Sequence, residues 1–143
     1  MGGPLAVTAS ELQQLLSETK FTRGYGFQLH SIGDGECTLH VPFREDFERP
    51  GGVVSGQVYM AAADVAMWLA IMTKRGTDDP SVTVAMQTSF IRGARREDLR
   101  CSAKLLKLGK RLIHGVAACA TLDGTLLTHH TITYMRPDGA AAE

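Results

Sequence analysis

The chain alternates between two hydrophobic periods. Glu11 with Leu12, Leu15 and Leu16 has helical spacing, and Thr8 or Ser10 can cap it, so a first helix is expected to about Thr19. From Tyr25 the period shortens to two. The run 25–32 sets Phe27, Leu29 and Ser31 against Gln28 and His30; 33–36 is a turn; 37–43 alternates again on Cys37, Leu39 and Val41. Four further β segments are expected after residue 80: 82–91, 99–108, 111–122 and 125–135. Gly109-Lys110 and Asp123-Gly124 supply tight turns between the last three. Residues 1–7 and the end beyond Pro137 read as loose, and one domain is expected over 1–143, with its core at about 22–136.

Between the two β groups lies a different stretch. After the polar link 44–49, Pro50, Gly51 and Gly52 break regular structure. A nearly all-apolar helix is then expected from about Ser55 to Thr73, ended by Lys74, Arg75 and Gly76. A helix apolar all round is normally buried. Its one carboxylate, Asp64, is then costly unless partnered. Small residues (Ala61, Ala62, Ala63, Ala66, Ala70) let such a helix approach a sheet closely. The order α-β-β-α-β-β-β-β with tight turns predicts an α+β fold: an antiparallel sheet curled around the long helix.

Composition narrows the functional classes. Fifteen Lys+Arg against fifteen Asp+Glu give zero net charge, without the basic excess of a nucleic-acid-binding domain. Weak repulsion between copies favours self-association. Cys37, Cys101 and Cys119 are odd in number and widely spaced. Neither a disulfide framework nor a metal site is expected, and a reducing cytoplasm is. The N-terminus lacks the pattern of a signal peptide, and the apolar run after Gln57 is too short for a membrane span.

The start of the long helix offers chemistry. Its first N–H groups are unpaired and lie at the positive end of the dipole, and Gly56 leaves room for a carbonyl oxygen to approach. Gly56 N–H is therefore a candidate oxyanion donor, and Asp64 a candidate base toward water, or a nucleophile forming an anhydride. A structural Asp satisfied by nearby donors is the bland alternative. The two positions are separated by roughly 12 Å along the helix axis. One chain cannot bring both to one carbonyl, so a second subunit is required. Ser55 is a helix cap or a ligand contact; Gln57 is a polar first-turn residue or a hydrogen-bond partner of the ligand or of Asp64 from the second subunit.

The stretch from Arg49 to Asp64 resembles the phenylacetate-degradation-type (PaaI-like) acyl-CoA thioesterases of hotdog fold, over roughly residues 22–136. That family typically shows Asn, then Gly, then His-Gly-Gly opening the central helix, with Asp nine residues after the His. Gly52 and Gly56 hold the glycine positions here, and Asp64 lies nine residues after Ser55. Residues 82–92 resemble the family's next strand, and Gly109-Lys110-Arg111 a later turn. Arg49, Ser55 and Gln57 stand where the family has Asn, His and the second Gly. The resemblance implies hydrolysis of an acyl- or aryl-CoA ester at a homodimer or homotetramer interface, with no cofactor beyond the CoA of the substrate. It makes Asp64 and Gly56 catalytic. It makes Ser55, Gln57, Arg49, Gly52 and Thr83 substrate-binding, Thr83 matching a hydroxyl that helps hold the water in some relatives. A non-catalytic acyl-CoA or small-ligand binding protein is the rival reading. A dehydratase is disfavoured because position 55 is not His. A cationic rim for CoA phosphates could come from Arg92, Arg95 and Arg96 or from Lys107, Lys110 and Arg111, and an acyl pocket from Tyr59, Met60, Met67 and Trp68.

Overall fold

The computed structural model of the protein describes residues 4–137. The looseness expected of 1–3 and of 138–143 therefore falls outside the described residues. Residues 6 and 7 are not loose: Ala6 N–H donates to Thr73 O at 2.8 Å and Val7 is buried.

Helix α1 (Ala9–Glu18) opens on a capping box. Glu11 N–H donates to Thr8 Oγ1 at 3.2 Å, and Thr8 N–H to Glu11 Oε1 at 2.9 Å. Its buried stripe is Leu12 and Leu16. A second helix, α2 (Lys20–Tyr25), occupies residues expected to lead into a strand. Gly26, at φ 75, ends it in the left-handed conformation that glycine adopts without strain.

Six strands form one sheet: β1 (Gln28–Gly33), β2 (Glu36–Val41), β5 (Val82–Phe90), β6 (Leu99–Leu108), β7 (Leu112–Thr121) and β8 (Leu126–Met135). Their order is β1-β2-β6-β7-β8-β5, every neighbour antiparallel. The expected polar link is more ordered than its composition suggests. It holds a 3-10 turn at Glu45–Phe47, with Phe47 buried, and a two-residue pairing of β3 (Glu48–Arg49) with β4 (Val53–Val54). Between them Gly52 N–H closes on Arg49 O at 3.0 Å. Pro50 and Gly51 occupy the corners, Gly51 with the positive φ such a turn needs there.

The long helix, α3 (Gly56–Arg75), lies against the inner face of the sheet. Ser55 caps it weakly, its Oγ 3.4 Å from Gln57 N; Lys74 and Arg75 end it with Gly76. Close approach is set by small residues on both sides. Ala63, Ala66 and Ala70 are fully buried. A Cβ at Gly115 of β7 would meet Met67 Cε at 2.5 Å and Lys104 O at 2.7 Å. Thr73 Oγ1 fixes the far end, accepting from Gly35 N at 2.9 Å and donating to Ala70 O at 2.6 Å. An antiparallel sheet packed around one long helix is the hotdog fold.

One expectation needs correction. Helix α3 is not buried all round: Gln57 and Met60 are exposed, and Ala61, Asp64 and Trp68 are half-buried. The spacing i, i+3, i+4, i+7, i+11 makes these one continuous stripe. The sheet covers the rest of the helix and leaves this side uncovered beside β5, the sheet's terminal strand.

Candidate functional site

Asp64 is not unpartnered. Its Oδ1 accepts from Thr83 Oγ1 at 2.6 Å and from Tyr134 OH at 2.8 Å; the same hydroxyl lies 3.0 Å from Asp64 O. Thr83 and Tyr134 face each other across β5 and β8, so the sheet's register presents two donors to one carboxylate oxygen. Burial, followed by the negative charge of Asp64, pushes the Tyr134 hydroxyl well above its ordinary value, which keeps it a proton donor. Oδ2 receives no hydrogen bond among the described residues, and the residue is only half-buried. The arrangement holds a carboxylate in one orientation, one oxygen fixed and the other available to water.

Thr83, which the resemblance made a substrate-binding residue near the water, is set by the structure on Asp64 Oδ1. Tyr134 was missed by the sequence reading. Its inward position followed from strand alternation, and an inward tyrosine hydroxyl usually needs a partner.

Gly56, the first residue of α3, lies beside Phe90 at the other end of β5. It borders a cleft of about 390 Å³ whose wall includes Val53, Val54, Tyr59, Phe90 and Ile91, with Arg49 and Arg92 as its charged members. The loops that shape this cleft are pinned by backbone: Val54 N–H donates to Ala94 O at 3.0 Å, and Ala94 N–H to Tyr59 OH at 3.2 Å. Phe90 packs on Gly56; a Cβ there would stand 2.9 Å from Phe90 Cε1 and would displace that exposed ring. Among the described residues no acceptor faces the Gly56 N–H, as expected for the first residue of a helix.

The other expected contacts separate. Arg49 is on the cleft. Ser55 and Gln57 border a different depression of about 280 Å³, with Phe21, Tyr25, Asp46 and Phe47. Gly52 serves the turn, at φ 77 with the Arg95 guanidinium against it, and does not border the cleft. Of the expected acyl-pocket residues, Tyr59 borders the cleft, Met67 is fully buried against the sheet, and Met60 and Trp68 lie on the open stripe. His130 is fully buried, its ring nitrogens 2.8 Å from Thr88 Oγ1 and Thr128 Oγ1, while His129 points outward. Among the described residues no cluster of metal-ligating side chains occurs, and no helix is long and apolar enough to cross a membrane.

Asp64 does not border the Gly56 cleft. The two groups therefore do not converge on one point within the chain.

Comparison with known proteins bears on what this arrangement does. The sequence profile of the thioesterase superfamily matches residues 51–126, from the glycines of the loop to the start of β8. A protein of Thermoplasma acidophilum provisionally described as an esterase is 27% identical over 124 residues, which cover 87% of this chain and 93% of that one. A Thermoplasma volcanium protein described the same way is 30% identical over 105 residues, 73% of this chain and 78% of that one. Among solved structures, a conserved protein of Pseudomonas aeruginosa superposes with a TM-score of 0.81 at 26% identity, covering 87% of this chain and 98% of its own. A mutant of the phenylacetic acid degradation protein PaaI of Thermus thermophilus shares the fold, with a TM-score of 0.75 at 23% identity over 83% of this chain and 100% of its own.

Proposed function

The chain belongs to the thioesterase superfamily and is a thioester hydrolase; from that premise we propose that it cleaves acyl- or aryl-CoA esters to a carboxylic acid and CoA, at a site shared by two copies of the chain. The observation that carries this reading is the separation of Asp64 from Gly56 along α3, each beside a different end of β5, an edge strand of the sheet.

An unpaired edge that exposes apolar side chains invites pairing with another strand. Val82, Val84 and Phe90 of β5 are 50%, 48% and 58% exposed. The partner of simplest geometry is β5 of a second copy. Antiparallel pairing of a strand with itself, about a twofold axis, exchanges its ends. Thr83, beside Asp64, is near one end of β5, and Phe90, beside Gly56, is at the other. An axis near Met86 and Gln87 sets Asp64 of one copy toward Gly56 of its partner, twice per dimer. A homotetramer would stack two such dimers.

In that site Asp64 Oδ2 takes a proton from water as the oxygen attacks the thioester carbon. The C–O bond forms, and the oxyanion is held by Gly56 N–H at the positive end of α3. The C–S bond then breaks, the sulfur leaves as the thiolate of CoA, and the proton on Asp64 neutralises it. Thr83 and Tyr134 hold the base in place throughout. The three free, buried thiols at Cys37, Cys101 and Cys119 support a reducing, cytoplasmic setting.

A panel of acyl- and aryl-CoA esters assayed for free-thiol release tests the proposal. Turnover by the wild type and its loss in a folded, still-associated Asp64→Ala protein are expected. Undiminished hydrolysis by that variant would remove Asp64 from the mechanism. Tight binding of CoA esters without turnover would select the non-catalytic ligand-binding alternative.

A further inference from the structure

Four arginines cluster where the β3–β4 turn meets the loop after β5, and they are not equivalent. Arg95 Nη1 donates to Gly51 O at 2.8 Å, and Arg96 Nη2 lies 3.4 Å from Glu48 Oε1. These two hold the loops together. Arg49 and Arg92 border the Gly56 cleft instead. Among the described residues neither has an acidic partner or a side-chain hydrogen bond. No carboxylate borders the cleft, although the chain as a whole is neutral. Two arginines without an acidic partner, bordering an otherwise largely apolar cleft, mark a place for an anion.

Two anions could reach it: a phosphate of CoA or a charge on the acyl group. The wall discriminates between them. The thioester carbonyl belongs at Gly56, on the border of the same cleft. A CoA phosphate would bring with it the pantetheine arm, whose two amides and hydroxyl need hydrogen-bond partners on burial. Apart from its arginines and glycines the cleft is lined by Val53, Val54, Tyr59, Phe90 and Ile91, and the Tyr59 hydroxyl already accepts from Ala94 N–H. That lining suits the methylenes of an acyl group of a few carbons.

We propose that Arg49 and Arg92 form an anion subsite for a carboxylate at the far end of a short acyl group, so that the preferred substrates are monothioesters of dicarboxylic acids. The inference deepens the thioesterase reading and rests on it for the position of the carbonyl. Carboxylate oxygens match the planar fork of a guanidinium, while Val53, Tyr59 and Phe90 cover the methylene chain.

The test compares glutaryl-CoA with pentanoyl-CoA, which share the CoA moiety and the chain length and differ in the terminal carboxylate. The wild type is expected to favour glutaryl-CoA in kcat/KM by about tenfold or more. In Arg92→Gln and Arg49→Gln that ratio is expected to fall, mainly through KM, and in the double variant to approach one. A wild type without the preference overturns the proposal. So does a loss shared equally by both CoA esters and absent with glutaryl-pantetheine, since that pattern places the arginines on CoA phosphates. A second readout does not depend on turnover: glutaryl-CoA is expected to bind Asp64→Ala at least about tenfold tighter than pentanoyl-CoA by calorimetry. A protein that binds with this preference but hydrolyses nothing refutes the hydrolytic reading and keeps the subsite; one that hydrolyses without the preference does the reverse.

Discussion

Two inactive variants should restore one another if each active centre draws on two chains. Asp64→Asn keeps the shape of the side chain and removes the base. Gly56→Pro removes the N–H and suits the backbone. Proline is favoured at the first helical position, and Ser55, at φ −63 and ψ 141, already has the extended conformation proline requires of its predecessor. The new ring would press on Phe90, but that side chain is more than half exposed and has room to swing. Loss of a general base or an oxyanion donor lowers kcat by about 10²–10³, so each variant alone should be nearly silent. A dimer with one chain of each kind has one site carrying both defects and one carrying neither. Random reassortment makes about half the dimers mixed, so the mixture should recover about a quarter of wild-type activity. The assay is thiol release from the best CoA ester after differently tagged variants are exchanged, with native mass spectrometry counting mixed dimers. Mixed dimers no more active than the two parents would refute the shared site and oblige both groups to act within one chain.

The clamp on Asp64 predicts a graded loss. Thr83→Val and Tyr134→Phe each remove a donor of a type worth about 1.5–3 kcal/mol to a charged acceptor, so kcat should fall by about tenfold or more in each while KM changes little; an unchanged kcat in both would show that the base needs no orienting. Gly115→Ala tests the close packing of α3, since the added methyl would meet Met67 and the carbonyl of Lys104. Destabilisation of about 1–3 kcal/mol is expected from urea unfolding, and an unshifted midpoint would mean the helix can move away from the sheet.

The strands were legible in the sequence because their alternation is strong and their turns are short. β2 and β6–β8 fall within a residue or two of their expected limits. The N-terminal part was read less well for an identifiable reason. Phe21, Tyr25 and Phe27 do not separate helix from strand by spacing alone, and the six-residue α2 is defined by Gly26 and by packing: Phe21 lies over Trp68 at 5.9 Å and Tyr25 stacks on Phe27 at 4.9 Å. The ordered link at 45–54 was missed because its stabilising contacts are distant. Ala94 binds Val54, and Arg96 reaches Glu48. In the candidate site, Gly56 and Asp64 stood out by local criteria, a glycine at a helix start and a carboxylate in an apolar run. Nothing local placed Ser55 and Gln57 on the opposite side of the helix start from the cleft.

Thr83 shows why the two donors on Asp64 could not be read together from periodicity. In β8, Thr128, His130, Ile132 and Tyr134 all face α3. Register pairs the first three with Phe90, Thr88 and Met86, so the even-numbered residues of β5 face inward there. Unbroken alternation would continue that face to Val84 and turn Thr83 outward, away from Asp64. The register shifts between Thr83 and Ala85, and Thr83 instead pairs with Tyr134. A single extra residue, Val84, reverses the facing of what precedes it. Both hydroxyls then meet Asp64 Oδ1, at 2.6 and 2.8 Å. The bulge therefore does the positioning: it gives the base its two donors while leaving Val84 exposed on the edge available to a second chain.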